Sequence, residues 1–319
     1  MSGLRTVYLN YAAAQRQKKA NAPYPVQFYN FWKGQDVRDM WFYRFVMHRN
    51  IVMDGRKLCF FSTFGDRGMV DKVSGDVNVF FSGENLKRKS FLHYADHLLK
   101  NEKIDLALGF EYFDDKRYFR FPLWLHYMFD PESTAVQIRE RCEQLSRPTI
   151  GERPEFACHV SSEDTLGLRK TICNSFSQIS HVDCAGKIMH NCDRLWNEFK
   201  NDKHGFLQQY RFNICPENSN AEGYVTEKLF QAIDAGCIPV YWGSYNNPEP
   251  GVLNSDAILY WGKDADNGSL LNKVVELNSN ASIYMDFVHQ PRLLPIAAEY
   301  VINEFEGLES RLKSLFANI

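Results

Sequence analysis

The sequence lacks any apolar stretch of the roughly 18 residues that a membrane-spanning helix needs. Its first twenty residues are too polar for a secretory signal peptide. A formal net charge of -2 gives no electrostatic attraction to nucleic acid or to an acidic membrane surface. Internal repeats and low-complexity tracts are also absent from the sequence. We therefore expect no nucleic-acid partner and no transmembrane segment, in a chain that is cytosolic or the soluble part of a membrane-anchored protein.

The eight cysteines are not unusual in number for 319 residues, and several lie in apolar runs that resemble strands. Free thiols are commonly buried in such positions. In a cytosolic protein we expect no disulfides among them. The same setting leaves the two N-glycosylation sequons, at Asn267 and Asn280, without a role.

The sequence does contain a series of short apolar runs that end in polar or glycine-containing turns. Its length allows two domains of roughly 150 residues each. The runs predict strands at residues 24–31, 57–63, 76–82, 104–110, 156–161, 179–182, 212–215 and 237–241. Helical stretches are predicted at 166–176 and within 192–210. Strands that alternate with helices in this way predict an α/β fold with parallel sheets.

A domain boundary is predicted near residues 145–155, where Pro148, Gly151 and Pro154 interrupt regular structure. The predicted domains are therefore residues 1–150 and 151–293. Residues 294–319 have helical periodicity and are predicted to form terminal helices that pack back on the first domain.

Residues 212–243 are the most informative part of the chain, with the sequence FNICPENSNAEGYVTEKLFQAIDAGCIPVYWG. They predict a strand, a polar loop, a helix that starts near Thr226, and a second strand. A helix N-terminus offers unpaired N–H groups and a partial positive charge, which suit a phosphate. Lys228 adds a full positive charge in the first turn, where it opposes the helix dipole. A residue that breaks a local rule in this way is a candidate for function.

This segment resembles the signature of the α1,3/4-fucosyltransferase family in three elements. These are Glu217-Asn218, residues 223–228 (Gly-Tyr-Val-Thr-Glu-Lys) and residues 239–243 (Pro-Val-Tyr-Trp-Gly). Weaker similarity is found in FYNFW at 28–32, FFSTFGD at 60–66, VFFSGEN at 79–85 and RYFRFPLW at 117–124. The resemblance implies two Rossmann-like domains that face each other across a cleft (the GT-B fold), with the acceptor on the first domain and the donor on the second.

The resemblance also implies the chemistry. The chain would be an inverting transferase that moves L-fucose from GDP-fucose to the 3-hydroxyl, or the 4-hydroxyl, of N-acetylglucosamine or glucose in lactosamine- or lactose-type glycans. GDP-fucose would be a co-substrate, with no cofactor and no metal required for catalysis. Its relatives include bacterial enzymes that are cytoplasmic or peripheral to the inner membrane; the alternative location is that of the soluble part of a Golgi-type enzyme.

By the same resemblance, Lys228 would contact the diphosphate, and Glu227 would contact the ribose or the fucose. Asn218 and Tyr224 would line the nucleotide-sugar site. A second cation is expected on the first helix of the donor domain, where Arg169 matches best. Arginine can hold a phosphate with two parallel hydrogen bonds, whereas lysine cannot. Lys170 is the competing assignment.

Inversion by a single displacement requires a group that takes the proton of the acceptor hydroxyl. The family resemblance assigns this role to Glu84, in the turn that follows the strand at 76–82. Position alone would favour an exposed or helix-capping carboxylate, because surface glutamates are common. Glu111 is the runner-up, followed closely by Asp114 and Asp115.

Other polar patterns are set aside. The Asp-x-Asp at Asp264 and Asp266 lies in a polar turn, and we expect no metal site there. Four residues have a zinc-like composition without the spacing of a zinc module: His181, Cys184, His190 and Cys192. Two rival functions stay open, namely a transferase of the same fold with another nucleotide-sugar donor, and a non-catalytic glycan-binding module.

Overall fold

The computed structural model describes residues 2–32, 34–52, 55–147, 151 and 153–317. The chain divides into two compact units, one formed by residues 1–134 with 301–319 and the other by residues 135–300. No helix among the described residues combines the length and the apolar character needed to cross a membrane.

The first unit contains a five-stranded parallel sheet with the strand order β1-β2-β3-β4-β5. The strands are β1 (Val26–Tyr29), β2 (Leu58–Phe61), β3 (Val77–Phe81), β4 (Leu106–Gly109) and β5 (Tyr118–Arg120). Helix α1 (Ser2–Asn21) precedes the strands, α2 (Trp41–His48) and α3 (Met69–Lys72) connect them, and α4 (Leu123–Met128) follows β5. Short 3₁₀ turns lie at Val37–Asp39 and Leu92–His97.

Both faces of this sheet are buried, as expected for parallel strands that read as continuous apolar runs. On one face Cys59 and Phe61 pack in a core with Met69 and Val70 of α3. On the other face Phe60 stacks on Phe42 of α2, with ring centroids 4.8 Å apart. The alternation of side chains along β2 therefore places helices on opposite faces of the sheet.

The second unit contains another five-stranded parallel sheet, with the order β10-β9-β8-β6-β7. Its strands are β6 (Glu155–His159), β7 (Val182–Cys184), β8 (Tyr210–Ile214), β9 (Ile238–Tyr241) and β10 (Leu259–Tyr260). β7 pairs with one edge of β6 and β8 with the other. The order of strands thus reverses between β6 and β8, and open α/β sheets bind ligands outside the carboxyl ends of the strands at such a point.

The helices of the second unit cover the same kind of buried sheet. They are α5 (Ala135–Ser146), α6 (Leu168–Ser177), α7 (Arg194–Asn197), α8 (Lys203–Leu207), α9 (Glu227–Asp234), α10 (Gly268–Ser279) and α11 (Ala281–Val288). Further 3₁₀ turns lie at Ser244–Asn246 and Ser255–Ala257. Ile172 and Phe176 of α6 pack in one core with Phe212 and Val240 of the sheet. The eight cysteines are free and buried.

The units differ in their bounds from the domains predicted at 1–150, 151–293 and 294–319. Helix α5 belongs to the second unit, where Arg141 pairs with Asp234 of α9 at 2.8 Å. Of the residues around the predicted boundary, 148–150 and 152 lie outside the described part. The last helix, α12 (Ala297–Ala317), enters the first unit from residue 301 onward.

Two secondary-structure predictions in the second unit need correction. The strand expected at 179–182 lies at Val182–Cys184, because the preceding residues complete the turn after α6. The charged stretch within 192–210 holds two short helices, α7 and α8, in place of one. Lys200 and Asn201 interrupt it with left-handed backbone, at φ values of 50° and 66°.

Candidate functional site

A polar pocket lies where the strand order of the second sheet reverses. The loop after β6 forms one side, and the end of β8 with the residues that follow it forms the other. Helices α6, α8 and α9 each contribute one cation. The charged and polar side chains that line the pocket are His159, Ser161, Arg169, Lys203, Asn213 and Lys228.

Glu217, which follows β8, anchors the start of α9. Its side chain is fully buried. The carboxylate accepts hydrogen bonds from the backbone N–H of Thr226 at 2.7 Å and from the Thr226 hydroxyl at 2.7 Å. A Cβ at Gly243 would meet Glu217 Cγ at 2.7 Å, so the approach of β9 requires glycine there. A carboxylate thus satisfies one of the orphan N–H groups of this helix.

Lys228 lies in the first turn of α9 between two carboxylates. Its Nζ is 3.3 Å from Glu217 Oε2 and 3.3 Å from Glu227 Oε1, and it donates to Thr226 Oγ1 at 2.8 Å. Burial opposes its charge, but the negative charges of Glu217 and Glu227 outweigh that effect and raise the pKa of Lys228. For Glu227, burial is outweighed by Lys228 and Lys203, which lower its pKa. Lys228 and Glu227 therefore both stay ionised at neutral pH.

The structure places Arg169 in the pocket and Lys170 on the surface, where its side chain is exposed. Arg169 Nη2 donates to the carbonyl oxygen of Pro216 at 3.2 Å, and Nη1 donates to the carbonyl oxygen of Glu163. Burial lowers the pKa of this guanidinium. Of the two residues considered from the sequence, Arg169 is the one beside Lys228.

Asn218 and Tyr224 lie together in the loop between β8 and α9. The Tyr224 hydroxyl donates to Asn218 Oδ1 at 2.9 Å, and the tyrosine is buried. Asn218 also lines a small adjoining pocket with Glu217 and Arg169. All five residues predicted to bind the donor, including Glu227, are thus within the elements that surround the strand reversal.

A strained turn follows β9 beside this loop. Ser244, Tyr245 and Asn246 have left-handed φ values of 47°, 51° and 55°. Each such residue costs about 1–2 kcal/mol. Two hydrogen bonds hold the turn against the polar loop, from Gly223 N to Ser244 Oγ at 3.0 Å and from Tyr245 N to Asn220 Oδ1 at 2.7 Å. Strain that is held in place in this way is typical of functional sites.

Glu84 lies in the first unit, directly after β3. Its backbone N–H donates to Ser82 Oγ at 3.2 Å, and its Oε2 is 3.2 Å from Arg88 Nη1. About a fifth of its side chain (23%) is exposed. Glu111, the runner-up, follows the neighbouring strand β4 and accepts a hydrogen bond from the buried Tyr118 hydroxyl at 2.9 Å. Burial raises the pKa of Glu111.

Two family models match the chain, one over each unit. The "Glycosyltransferase family 10 (fucosyltransferase) C-term" model matches residues 150–302. The "Alpha-(1,3)-fucosyltransferase FucT N-terminal domain" model matches residues 26–127. The chain belongs to the family 10 fucosyltransferases.

Individual members of this family agree with that placement. "Alpha-(1,3)-fucosyltransferase FucT" of Helicobacter pylori is 24% identical over 90% of the chain, which covers 64% of that relative. "GDP-fucose protein O-fucosyltransferase 3" of Xenopus tropicalis is 33% identical over 34% of the chain and 24% of its own length. The chain thus spans less than two thirds of the length of these curated relatives.

Solved structures of fucosyltransferases share the fold. A crystal structure of an α1,3-fucosyltransferase superposes with a TM-score of 0.61 at 19% identity and covers 89% of each chain. A crystal structure described as an α1,3-fucosyltransferase with GDP-fucose gives 0.55 at 18% identity, again over 89% of each chain. The two parallel sheets of this family member are therefore those of the GT-B fold.

Most residues of the patterns set aside from the sequence have protein contacts of their own or are buried. Within the described residues, no group of three His, Cys, Asp or Glu side chains could hold a metal ion. Asp266 accepts from the backbone N–H of Gly268 at 2.9 Å and so closes a turn. His181 and His190 contact Asp183 and Asp193, while Cys184 and Cys192 are buried.

The sequence analysis gave no role to His159, Lys203 or Glu217, which lie at this site in the structure. Glu217 was part of the resemblance, but its role as the anchor of α9 depends on contacts nine and eleven residues away. His159 and Lys203 carry no local signal. The position of His159 at the carboxyl end of β6, the first strand of the second unit, would have been a clue to its place in the site.

His159 is predicted to make the stability of the protein pH-dependent. Its Nδ1 is 2.7 Å from the Ile214 carbonyl oxygen and its Nε2 is 2.6 Å from Ser161 Oγ. A carbonyl only accepts, so Nδ1 carries the proton and the serine hydroxyl donates to Nε2. Burial lowers the pKa of His159 to about 4. In the unfolded chain the histidine pKa is about 6.5, so as the pH is lowered the unfolded chain takes up this proton before the folded protein does.

The free energy of unfolding should therefore fall as the pH decreases from about 6.5 to about 4. Urea unfolding across this range measures the slope, and His159→Gln should reduce it. The exposed His48→Gln is the matched control and should retain the wild-type slope. An equal slope in His159→Gln and the wild type would contradict the assignment.

Proposed function

We propose that the chain is an inverting fucosyltransferase that transfers L-fucose from GDP-fucose to the 3-hydroxyl of N-acetylglucosamine or glucose in a lactosamine- or lactose-type acceptor. One observation carries the donor half of this proposal. Arg169 and the first turn of α9 with Lys228 meet at the reversal of the second sheet. Cations and a helix N-terminus at such a point suit a nucleotide diphosphate.

The donor residues have separate tasks in the proposed reaction. Arg169 and Lys228 hold the diphosphate, and their charge stabilises the GDP as the glycosidic bond breaks and negative charge grows on the leaving group. Glu227 contacts the ribose or the fucose, while Asn218 and Tyr224 line the nucleotide-sugar site. Because Glu217 fixes the first turn of α9, these groups are in place before the donor binds.

Glu84 is the proposed general base. The carboxylate takes the proton of the acceptor hydroxyl while that oxygen attacks the anomeric carbon on the face opposite the diphosphate. Its ion pair with Arg88 supports this role in geometry, because the contact at 3.2 Å holds the carboxylate in one position after β3. The position of Glu84 at a strand carboxyl end is also typical of catalytic residues in α/β folds.

We further propose that no metal takes part. The side-chain cations of the pocket supply the charge that a divalent ion would otherwise give to the diphosphate. Addition of EDTA to the transferase assay should therefore leave the rate unchanged. A complete loss of activity that Mn²⁺ restores would contradict this part of the proposal.

The identity of the donor is open to a direct test, because the same cations would hold the diphosphate of any nucleotide sugar. GDP should raise the unfolding temperature measured by thermal shift, and UDP at the same concentration should not, since only a ligand of the folded state stabilises it. A shift with UDP alone would remove fucose from the proposal.

Product analysis tests the reaction itself. The protein is incubated with GDP-fucose and lactose, N-acetyllactosamine or its β1,3-linked isomer, and the products are analysed by NMR. With lactose and N-acetyllactosamine we expect a new fucosyl linkage on the 3-hydroxyl. In the β1,3-linked isomer that hydroxyl is already substituted, so the new linkage should form on the 4-hydroxyl. GDP binding without any product from these acceptors would favour a non-catalytic glycan-binding role.

A further inference from the structure

Lys203, the first residue of α8, is a third cation in the pocket that holds Arg169 and Lys228. Its Nζ donates to Gln231 Oε1 of α9 at 2.7 Å. Gln231 lies three residues after Lys228, on the same face of that helix. The two lysines thus enter one pocket from two different helices.

The surroundings of the two lysines differ in charge. Lys228 lies within 3.3 Å of two carboxylates, Glu217 and Glu227, which balance it. Lys203 forms no ion pair within the described chain, and a neutral amide is its hydrogen-bond partner there. Burial lowers the pKa of Lys203, and the more distant Glu227 does not offset this effect. An ammonium group donates three hydrogen bonds, so this one has donors left for a ligand.

A partly desolvated cation without a carboxylate partner is unfavourable unless an anion compensates it. We propose that Lys203 is a further anion-binding residue and contacts a phosphoryl oxygen of the donor's diphosphate. This inference rests on the proposed donor site, and it adds Lys203 to Arg169 and Lys228 as a third cation that contacts the diphosphate. Lys228, whose charge is partly balanced by Glu217 and Glu227, contacts the diphosphate beside Arg169 and Lys203.

The test compares binding of GDP with binding of guanosine, which has no phosphate. Lys203→Met should weaken GDP binding about tenfold or more, because a hydrogen bond to a charged group is lost. Guanosine affinity should not change. Lys203→Arg keeps the charge and should recover most of the GDP affinity. Lys200→Met removes an exposed lysine from the same segment and is the matched control, with wild-type affinity for both ligands.

Two results would overturn the inference. One is wild-type GDP affinity in Lys203→Met. The other is an equal loss of guanosine and GDP binding, which would mean that the substitution disturbs the pocket as a whole. Arg169→Gln is measured in the same series to separate this inference from the proposed function. If neither Arg169→Gln nor Lys203→Met weakens GDP binding, the donor site itself is wrong; if Lys203→Met alone has no effect, only the role of Lys203 is wrong.

Discussion

Glu84→Gln is expected to lower kcat by about 10²–10⁴-fold while GDP binds as tightly as to the wild type. The substitution keeps the size of the side chain and an oxygen that can accept from Arg88, but the amide cannot take a proton from the acceptor hydroxyl. Initial rates with GDP-fucose and N-acetyllactosamine measure the loss, and GDP titration measures the affinity.

Glu111→Gln is the matched control for this prediction. It removes the neighbouring carboxylate, at the end of β4, and retains an acceptor for the Tyr118 hydroxyl. Turnover in this variant should stay close to that of the wild type. If Glu111→Gln were the inactive variant and Glu84→Gln the active one, the base would have to be reassigned to Glu111. Full activity in both would place the base elsewhere.

Glu217→Gln is expected to lower the free energy of unfolding by about 1–3 kcal/mol, because it removes one of the two carboxylates beside Lys228 and leaves a buried donor without its acceptor. The fully buried carboxylate accepts from Thr226 and from Lys228. A glutamine would turn an N–H₂ group toward one of these donors. Urea unfolding monitored by circular dichroism measures the change.

A double-mutant cycle with Lys228→Met separates the ion pair from other effects of the substitution. The combined variant should be less destabilised than the sum of the two single variants, since the interaction between Glu217 and Lys228 is lost in each single variant but only once in the double variant. Glu222→Gln, on the exposed part of the same loop, is the control and should change stability by less than about 0.5 kcal/mol. Simple additivity between Glu217→Gln and Lys228→Met would show that the two groups are not coupled.

The success of strand prediction depended on strand length, for a physical reason. Strands β1 to β4 follow the apolar runs closely, since a parallel strand is buried on both faces and its whole length is apolar. β5 and β10 are only three and two residues long, too short for a periodic signal. The division between the two compact units depends on which core α5 joins, and that assignment needs contacts such as Arg141 with Asp234 that are far apart in the chain.

The residues of the candidate donor site likewise fall into those that the sequence could predict and those that only the structure shows. The segment from β8 to β9 is contiguous, so the resemblance could indicate Asn218, Tyr224, Glu227 and Lys228 together. The choice between Arg169 and Lys170 depended on which face of α6 is turned toward the pocket. The sequence does not show this for two adjacent basic residues. Lys203 and His159 joined the site only through pairing of β6 with β8 and packing of α8 on α9.

By itself, the sequence determined the alternation of strands and helices, the polar loop that opens α9, and the family to which the chain belongs. These properties depend on neighbours along the chain, through burial patterns and helix-start signals. The tertiary structure alone decided which cations share a pocket and which of them a carboxylate balances. Hydrogen bonding between β6 and β8 brings together residues that lie more than fifty positions apart, and no local pattern records that pairing.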